Sequence, residues 1–382
     1  MFPADRPHPL NYDTFANLLF SRVRRADVTL ALVIINAIIF ALLVAMSRNA
    51  MQIPSDLLIR AGGNFAPLVQ KGELWRLFSA LFLHGGLLHV GLNMFALYQA
   101  GQVVERLFGR LGFLVIYVGA GLLGNLASLW WKQGSVSVGA SGAIFGVYGA
   151  LLAYLLLQRG SVPGEVFREM RSGTLGFIGY SLFAGFSLPG IDNAAHLGGL
   201  AGGMILGLAF AEPVVSSRPV RWLSPRALGG VLVLVALGLT LWQQTPEVVR
   251  RYQADSAYQQ TLQRFILDEQ ELLREQAALM DSLRQRRLTE AAALEVLEHD
   301  FLPRWERLIN QLSGATAPAP SEWQRQELVA YASTRRDAVK ALAQAFETRQ
   351  MVWVERSRAL QVQADNILLQ MRLRHSVEAG AR

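Results

Sequence analysis

Gly139-Ala140-Ser141-Gly142 leads directly into AIFGVYGALLAYLLL, residues 143–157, an apolar run without a charged side chain. A serine set among small residues at the head of such a run reads as membrane-embedded, where lipid offers a hydroxyl no partner. A second apolar stretch carries Ala195-His196, followed by Gly199 and Gly203. The economical explanation is that hydroxyl and imidazole face each other and do nucleophilic chemistry inside the bilayer.

The composition supports a membrane setting. Of 382 residues, 52% are apolar and only 17% are charged, which is poor in charge for a soluble protein. A bilayer core takes about 20 mostly apolar residues per helix. Residues 28–46, 81–103, 111–131, 139–158, 175–188, 193–211 and 227–242 qualify, the fifth being short. Seven spans are expected.

The net charge of +7 informs through its placement. Arg22, Arg24 and Arg25 precede the first span, and Arg106 and Arg110 follow the second. Arg159, Arg168 and Arg171 follow the fourth, and Arg218, Arg221 and Arg226 follow the sixth. The alternate short loops hold little beyond Lys132 and Asp192. The positive-inside rule then places the N-terminus in the cytoplasm and residues after 242 on the other side. No run or face concentrates the charge, so nucleic-acid binding is not expected. The first span exceeds a signal-peptide core and lacks an A-x-A site after Met46, so it reads as a retained anchor. The absence of cysteine excludes disulfides, thiol catalysis and cysteine metal sites.

Four regions follow. Residues 1–27 are a short polar cytoplasmic lead with Pro3, Pro7 and Pro9. Residues 28–212 form a six-helix domain, and residues 213–243 a cytoplasmic loop with a seventh span. Residues 244–382, rich in Glu, Gln, Arg, Ala and Leu, read as a helical hairpin or small bundle on the extracytoplasmic side. There, Thr245-Pro246-Glu247 is a helix start. Leu262, Phe265, Leu272, Leu273, Leu279, Met280 and Leu283 recur at helical spacing. Pro303 should break or kink its helix, and Ser321 with Gln324 resembles a capping box for a last long helix. This tail either packs on itself or also offers its apolar faces to a protein partner.

The chemistry sits in spans two, four and six. His89 and Asn93, four apart, share a helical face, with His84 just before it. Two donors on one face suit an anionic tetrahedral intermediate; bonding to neighbouring helices is the plain alternative. Two histidines without acids are a poor metal set, and neither metal nor cofactor is expected. Ser141 starts a helix, so nearby amides are unpaired and can face an oxyanion. Taken alone it could equally be a packing serine, since Gly142 and Gly146 form a small-residue face. His196 shares a face with Gly199 and Gly203, and pressing the two glycine faces together brings Ser141 to His196. Neutral histidine suits removal of the serine proton. Phe145, one turn after Ser141, can stack on the imidazole in place of a third carboxylate. Asp192 falls at a loop edge and reads as solvated.

Over roughly residues 70–212 the chain resembles the rhomboid intramembrane serine proteases. The resemblance rests on an ordered set: Trp75-Arg76, His84, His89, Asn93, Glu105, Gly139-Ala140-Ser141-Gly142, Ala195-His196, Gly199 and Gly203. It implies an all-α polytopic membrane protein with a six-helix core, a Ser141–His196 dyad in a wet cavity open to the extracytoplasmic side, and transmembrane protein substrates. It also implies an oxyanion site from His89, Asn93 and the Ser141 amide, with the Gly139 region. Position 145 is Phe where many relatives have Tyr, and the seventh span and helical tail exceed the minimal form. A bacterial cytoplasmic membrane is the expected location. A catalytically silent relative that binds or escorts membrane proteins is the alternative.

Overall fold

The computed structural model describes residues 11–131, 134–188, 190–216 and 218–380; Pro3, Pro7, Pro9 and Lys132 lie outside the described residues. Among the described residues every regular element is helical, apart from a lone antiparallel bridge between Asn64 and Ser137. Two compact units divide between Val249 and Arg250.

In the first unit the expected polar lead contains a helix, α1 (Tyr12–Arg22). Asn11 caps it by accepting the Thr14 N–H at 2.8 Å, and Phe15 and Leu19, one turn apart, enter the core. Arg22 closes it by donating to the Leu107, Pro213 and Ser216 carbonyls. Next comes α2 (Asp27–Ser47), close to the first expected span. Three short helices follow: α3 (Ser55–Arg60), α4 (Ala66–Gln70) and α5 (Arg76–Ser79).

Helix α6 (Leu87–Trp131) has 45 residues, about 67 Å at 1.5 Å per residue, roughly twice the bilayer's hydrocarbon thickness. It is two helices joined at Gly109, whose φ of 73° and ψ of 166° leave the helical region. Spans two and three are therefore connected without the loop that residues 104–110 suggested. Span two begins at Leu87 rather than residue 81, because a 3-10 turn at Ala80–Phe82 and Gly85-Gly86 precede it.

The unit continues with α7 (Ser141–Leu157), α8 (Gly164–Ser187), α9 (Asn193–Phe210) and α10 (Pro225–Gln244). Helix α8 is longer than the expected residues 175–188, because its charged first turns (Glu165, Arg168, Glu169, Arg171) are helical too. Among the described residues four helices, α2, α6, α9 and α10, are long and apolar enough to cross a membrane, and α7 is a shorter apolar helix.

The core lies where α6, α7 and α9 meet: Leu97, Phe113, Tyr117, Phe145, Tyr154 and Leu206 are buried there. By contrast, only 6% of the apolar window of α10 is buried, against 61% in α6. Leu228, Leu232, Val235 and Leu239 of α10 are exposed, a surface that suits lipid rather than water. Arg226 at the start of α10 donates to the Ala209 and Ala211 carbonyls and pairs with Glu212. A cation thereby satisfies the carbonyl end of α9.

The second unit departs from the sequence reading at its joints. Helix α11 (Val249–Arg284) starts after, not at, Thr245-Pro246-Glu247. Gln70 explains the delay: its Nε2 donates to the Pro246 carbonyl at 2.7 Å, and its Oε1 accepts the Val248 N–H at 3.0 Å. Both groups are thus withheld from a helical turn. Then come α12 (Glu290–Val296), a π turn at Leu297–Phe301, and α13 (Leu302–Gly314). Pro303 does not end the helix; the wider turn before it absorbs the ring and the missing donor. The capping box at Ser321 is not formed; Glu322 pairs with Arg325 at 2.5 Å instead. The expected last helix is two, α14 (Glu322–Thr348) and α15 (Met351–Gly380), parted at Arg349 with φ 57°. Phe265, Leu272, Phe301, Trp305, Tyr331 and Ala364 centre this unit's core. The Tyr331 hydroxyl donates to Glu269 at 2.5 Å, and burial pushes this phenol above its ordinary range.

Candidate active site

Helices α7 and α9 meet along glycines. A methyl group added at Gly199 would lie 1.9 Å from the Gly142 carbonyl oxygen, and one at Gly203 would lie 1.9 Å from that of Gly146. Only hydrogen fits, so the two backbones touch, as small residues allow between membrane helices. A methyl at Gly124 of α6 would likewise come within 2.6 Å of the Ala195 carbonyl oxygen. The residue before His196 is thereby held against two helices. His196, itself buried, stacks on Phe145 with ring centres 4.2 Å apart and planes at 12°. Phe145 is one turn beyond Ser141, the half-buried first residue of α7. The seam thus brings the helix start bearing Ser141 to the helix start bearing His196.

His89 and Asn93 face the same place from α6. The Gly85 N–H donates to His89 Nδ1 at 3.4 Å, so Nδ1 is the acceptor and Nε2 carries the proton. That Nε2 lies 2.8 Å from where a Gly139 Cβ would stand, and Asn93 Nδ2 lies 3.6 Å from the same point. Asn93 is buried, and its Nδ2 has no partner among the described residues. A buried, unsatisfied donor of this kind costs about 1–3 kcal/mol, so the arrangement stores an unmet demand for an acceptor. Gly139 has φ 133°, which favours glycine. Its own N–H is committed to the Ala80 carbonyl at 2.9 Å, so Gly139 contributes space rather than a donor. The Ala140 N–H is directed at His84 Nε2, 3.5 Å away. His84 is fully buried and set edge-on to His89. Three N–H groups of the first turn of α7, on Ser141, Gly142 and Ala143, have no intrahelical partner and make the positive end of its dipole.

Asp192 corrects an expectation. It is not solvated but 9% exposed, and it caps α9 by accepting the Ala195 N–H at 3.0 Å. Its Oδ2 also accepts the Ser128 hydroxyl at 2.5 Å and the Ser137 hydroxyl at 2.7 Å. Sequence reading missed this polar cluster. Ser137 forms the bridge to Asn64, Asn64 donates to the Asn125 carbonyl, and Asn125 donates to the Leu77 carbonyl. The available signal was Asn125 with Ser128, two polar residues three apart inside an apolar run.

Other expected residues lie elsewhere in the architecture. Trp75 and Arg76 brace the loop between α2 and α6. The Arg76 guanidinium is buried, donates to the Ile59 and Gly63 carbonyls and pairs with Glu73 at 2.7 Å. Trp75, half exposed, lies under that guanidinium at 4.8 Å. Glu105 is twelve residues along α6 from Asn93, about 18 Å away at 1.5 Å per residue. Fully buried, it accepts the Val28 N–H, the Thr29 N–H and the Thr29 hydroxyl. It caps α2 from a neighbouring helix.

A family profile described as the Rhomboid domain matches residues 71–213. Rhomboid protease GluP of Bacillus subtilis is 36% identical over 186 residues, covering 48% of this chain and 34% of that protein. Rhomboid-like protease 1 of Toxoplasma gondii is 32% identical over 228 residues, 58% of this chain and 77% of that protein. RHOMBOID-like protein 1 of Arabidopsis thaliana is 36% identical over 167 residues, 43% of this chain and 42% of that protein. The chain thus spans less than half the length of two of these relatives and about three quarters of the other. With its several membrane-length apolar helices, it is an integral membrane protein. The matched interval includes the α6, α7 and α9 contacts just described, and the chain belongs to the rhomboid family.

Proposed function

We propose that this chain is an intramembrane serine endopeptidase that cleaves transmembrane segments of other proteins. The observation that carries the proposal is the glycine seam between α7 and α9, which seats His196 on Phe145 one turn from Ser141. Ser141 Oγ attacks the scissile carbonyl carbon as His196 takes its proton. The tetrahedral oxyanion then accepts hydrogen bonds from His89 Nε2–H, Asn93 Nδ2–H and the Ser141 amide. His196 returns the proton to the leaving amine, and water hydrolyses the acyl-enzyme by the same steps in reverse roles. The Bacillus and Toxoplasma relatives, both named as proteases, support the reading.

In this reading residues 28–212 are the protease domain, the N-terminus is cytoplasmic, α10 is a seventh span, and residues 244–382 lie on the extracytoplasmic side. Purified protein is incubated with a fluorophosphonate probe and a reporter transmembrane substrate, beside Ser141→Ala. Labelling and cleavage by the wild type, both lost in Ser141→Ala, are expected. A wild type that neither labels nor cleaves overturns the protease reading in favour of an escort role.

Helix α8 is the proposed lateral entrance for substrate. Only Thr174 and Ile178 of it are buried, and Phe177 holds it to α7 by stacking on Tyr148 at 3.9 Å. Cross-linking α8 to the first half of α6 is expected to stop substrate cleavage while leaving labelling by the small probe within about twofold, since chemistry is untouched. Undiminished turnover after cross-linking would count against the gate.

A further inference from the structure

Resting on the protease reading, we infer that Asp192 is a positioning residue that sets the alignment of Ser141 with His196. One carboxylate joins three chain segments here. Its Oδ1 holds the Ala195 N–H, in the first turn of the helix that bears His196. Its Oδ2 holds Ser137, four residues before Ser141, and Ser128, on the second half of α6. The backbone continues the link, since the His196 N–H donates to the Asp192 carbonyl at 3.1 Å.

The loop 134–140 needs such an anchor. Ser137 pairs with Asn64 through both its N–H and its carbonyl, at 2.8 and 3.0 Å. Gly139 then turns with a positive φ two residues before the nucleophile. Without a bond to the α9 start, this loop is registered to loop one but not to the histidine. The glycine seam fixes how closely α7 and α9 approach, yet glycines contribute no directional bond along it. The carboxylate supplies that direction through two charge-assisted hydrogen bonds, which are short and geometrically demanding. Asp192 makes none of its described contacts with Ser141 or the His196 ring. It acts on their relative placement, and misplacement by about 1 Å costs about 10²-fold in rate.

The alternative is an ordinary helix cap that supports stability alone, and two substitutions separate the two roles. Serine is a good cap but is too short to reach Ser128 and Ser137 from position 192, whereas alanine neither caps nor links. Full-length wild type, Asp192→Ser, Asp192→Ala and Ser137→Ala are compared by melting temperature, fluorophosphonate labelling rate, and kcat and KM on a reporter transmembrane substrate. Asp192→Ser is expected to melt near the wild type yet lose about 10²-fold in kcat and in labelling rate, with KM within about twofold. Ser137→Ala, its cap intact, should lose about tenfold in kcat. Recovery of wild-type kcat by Asp192→Ser, or wild-type labelling by Ser137→Ala, overturns the positioning role. If Asp192→Ala fails to fold, the other two variants still decide. An unlabelled wild type strikes the protease reading instead, and is distinguishable because it needs no variant.

Discussion

Gly199→Ala is expected to lower kcat by about 10²-fold or more while the protein still inserts and folds. The new methyl would stand 1.9 Å from the Gly142 carbonyl oxygen, and a backbone atom cannot rotate away as a flexible side chain can. The helices must part or slide, and overpacking of this kind costs about 1–3 kcal/mol in stability. The larger effect is on rate, because the displaced helix starts carry Ser141 and His196 and rate is steep in their separation. Gly229→Ala on α10, where a methyl meets open space, is the control; it should leave kcat unchanged. Cleavage kinetics with a thermal melt check the pair. Equal kcat for Gly199→Ala and wild type would mean that the seam does not set the dyad.

Asn93→Ala should reduce kcat by about 10²–10³-fold with KM nearly unchanged, because the donor has no ground-state partner among the described residues to lose. The same substitution removes an unsatisfied buried group, so stability should hold or rise slightly. That opposite movement of rate and melting temperature is the signature of a group reserved for the transition state. His89→Ala should cost a similar factor in rate, and the double variant less than the product, since both donors serve one oxygen. A fall in KM-linked binding with kcat intact would place Asn93 in substrate contact instead.

Sequence periodicity and small-residue spacing made much of this legible. The Gly142/Gly146 and Gly199/Gly203 registers follow from helical geometry, and so does the shared face of His89 and Asn93. What escaped the sequence depends on contacts between distant segments. Asp192 looked like a loop-edge acid because nothing local to it reveals that Ser128 and Ser137 converge on its Oδ2. Helix α1 was readable from Asn11, Phe15 and Leu19, but with Pro3, Pro7 and Pro9 at its head the segment reads as a polar lead. The joints of the C-terminal helices were the least legible. A positive φ at Arg349 carries no glycine or proline to announce it. The delayed start of α11 is imposed by Gln70, some 176 residues earlier in the chain.

The Gln70 clamp has a mechanical consequence. Chain leaving α10 is held at Pro246 and Val248 by one side-chain amide rooted in α4. Any pull on the helical tail therefore loads loop one first. The seam between α9 and α10, where Gly230 rests on Ala209, is spared until that amide lets go. The clamp works as a strain relief does on a cable: tension on the chain beyond Val248 meets the α4 amide before it reaches the register of α9 and α10.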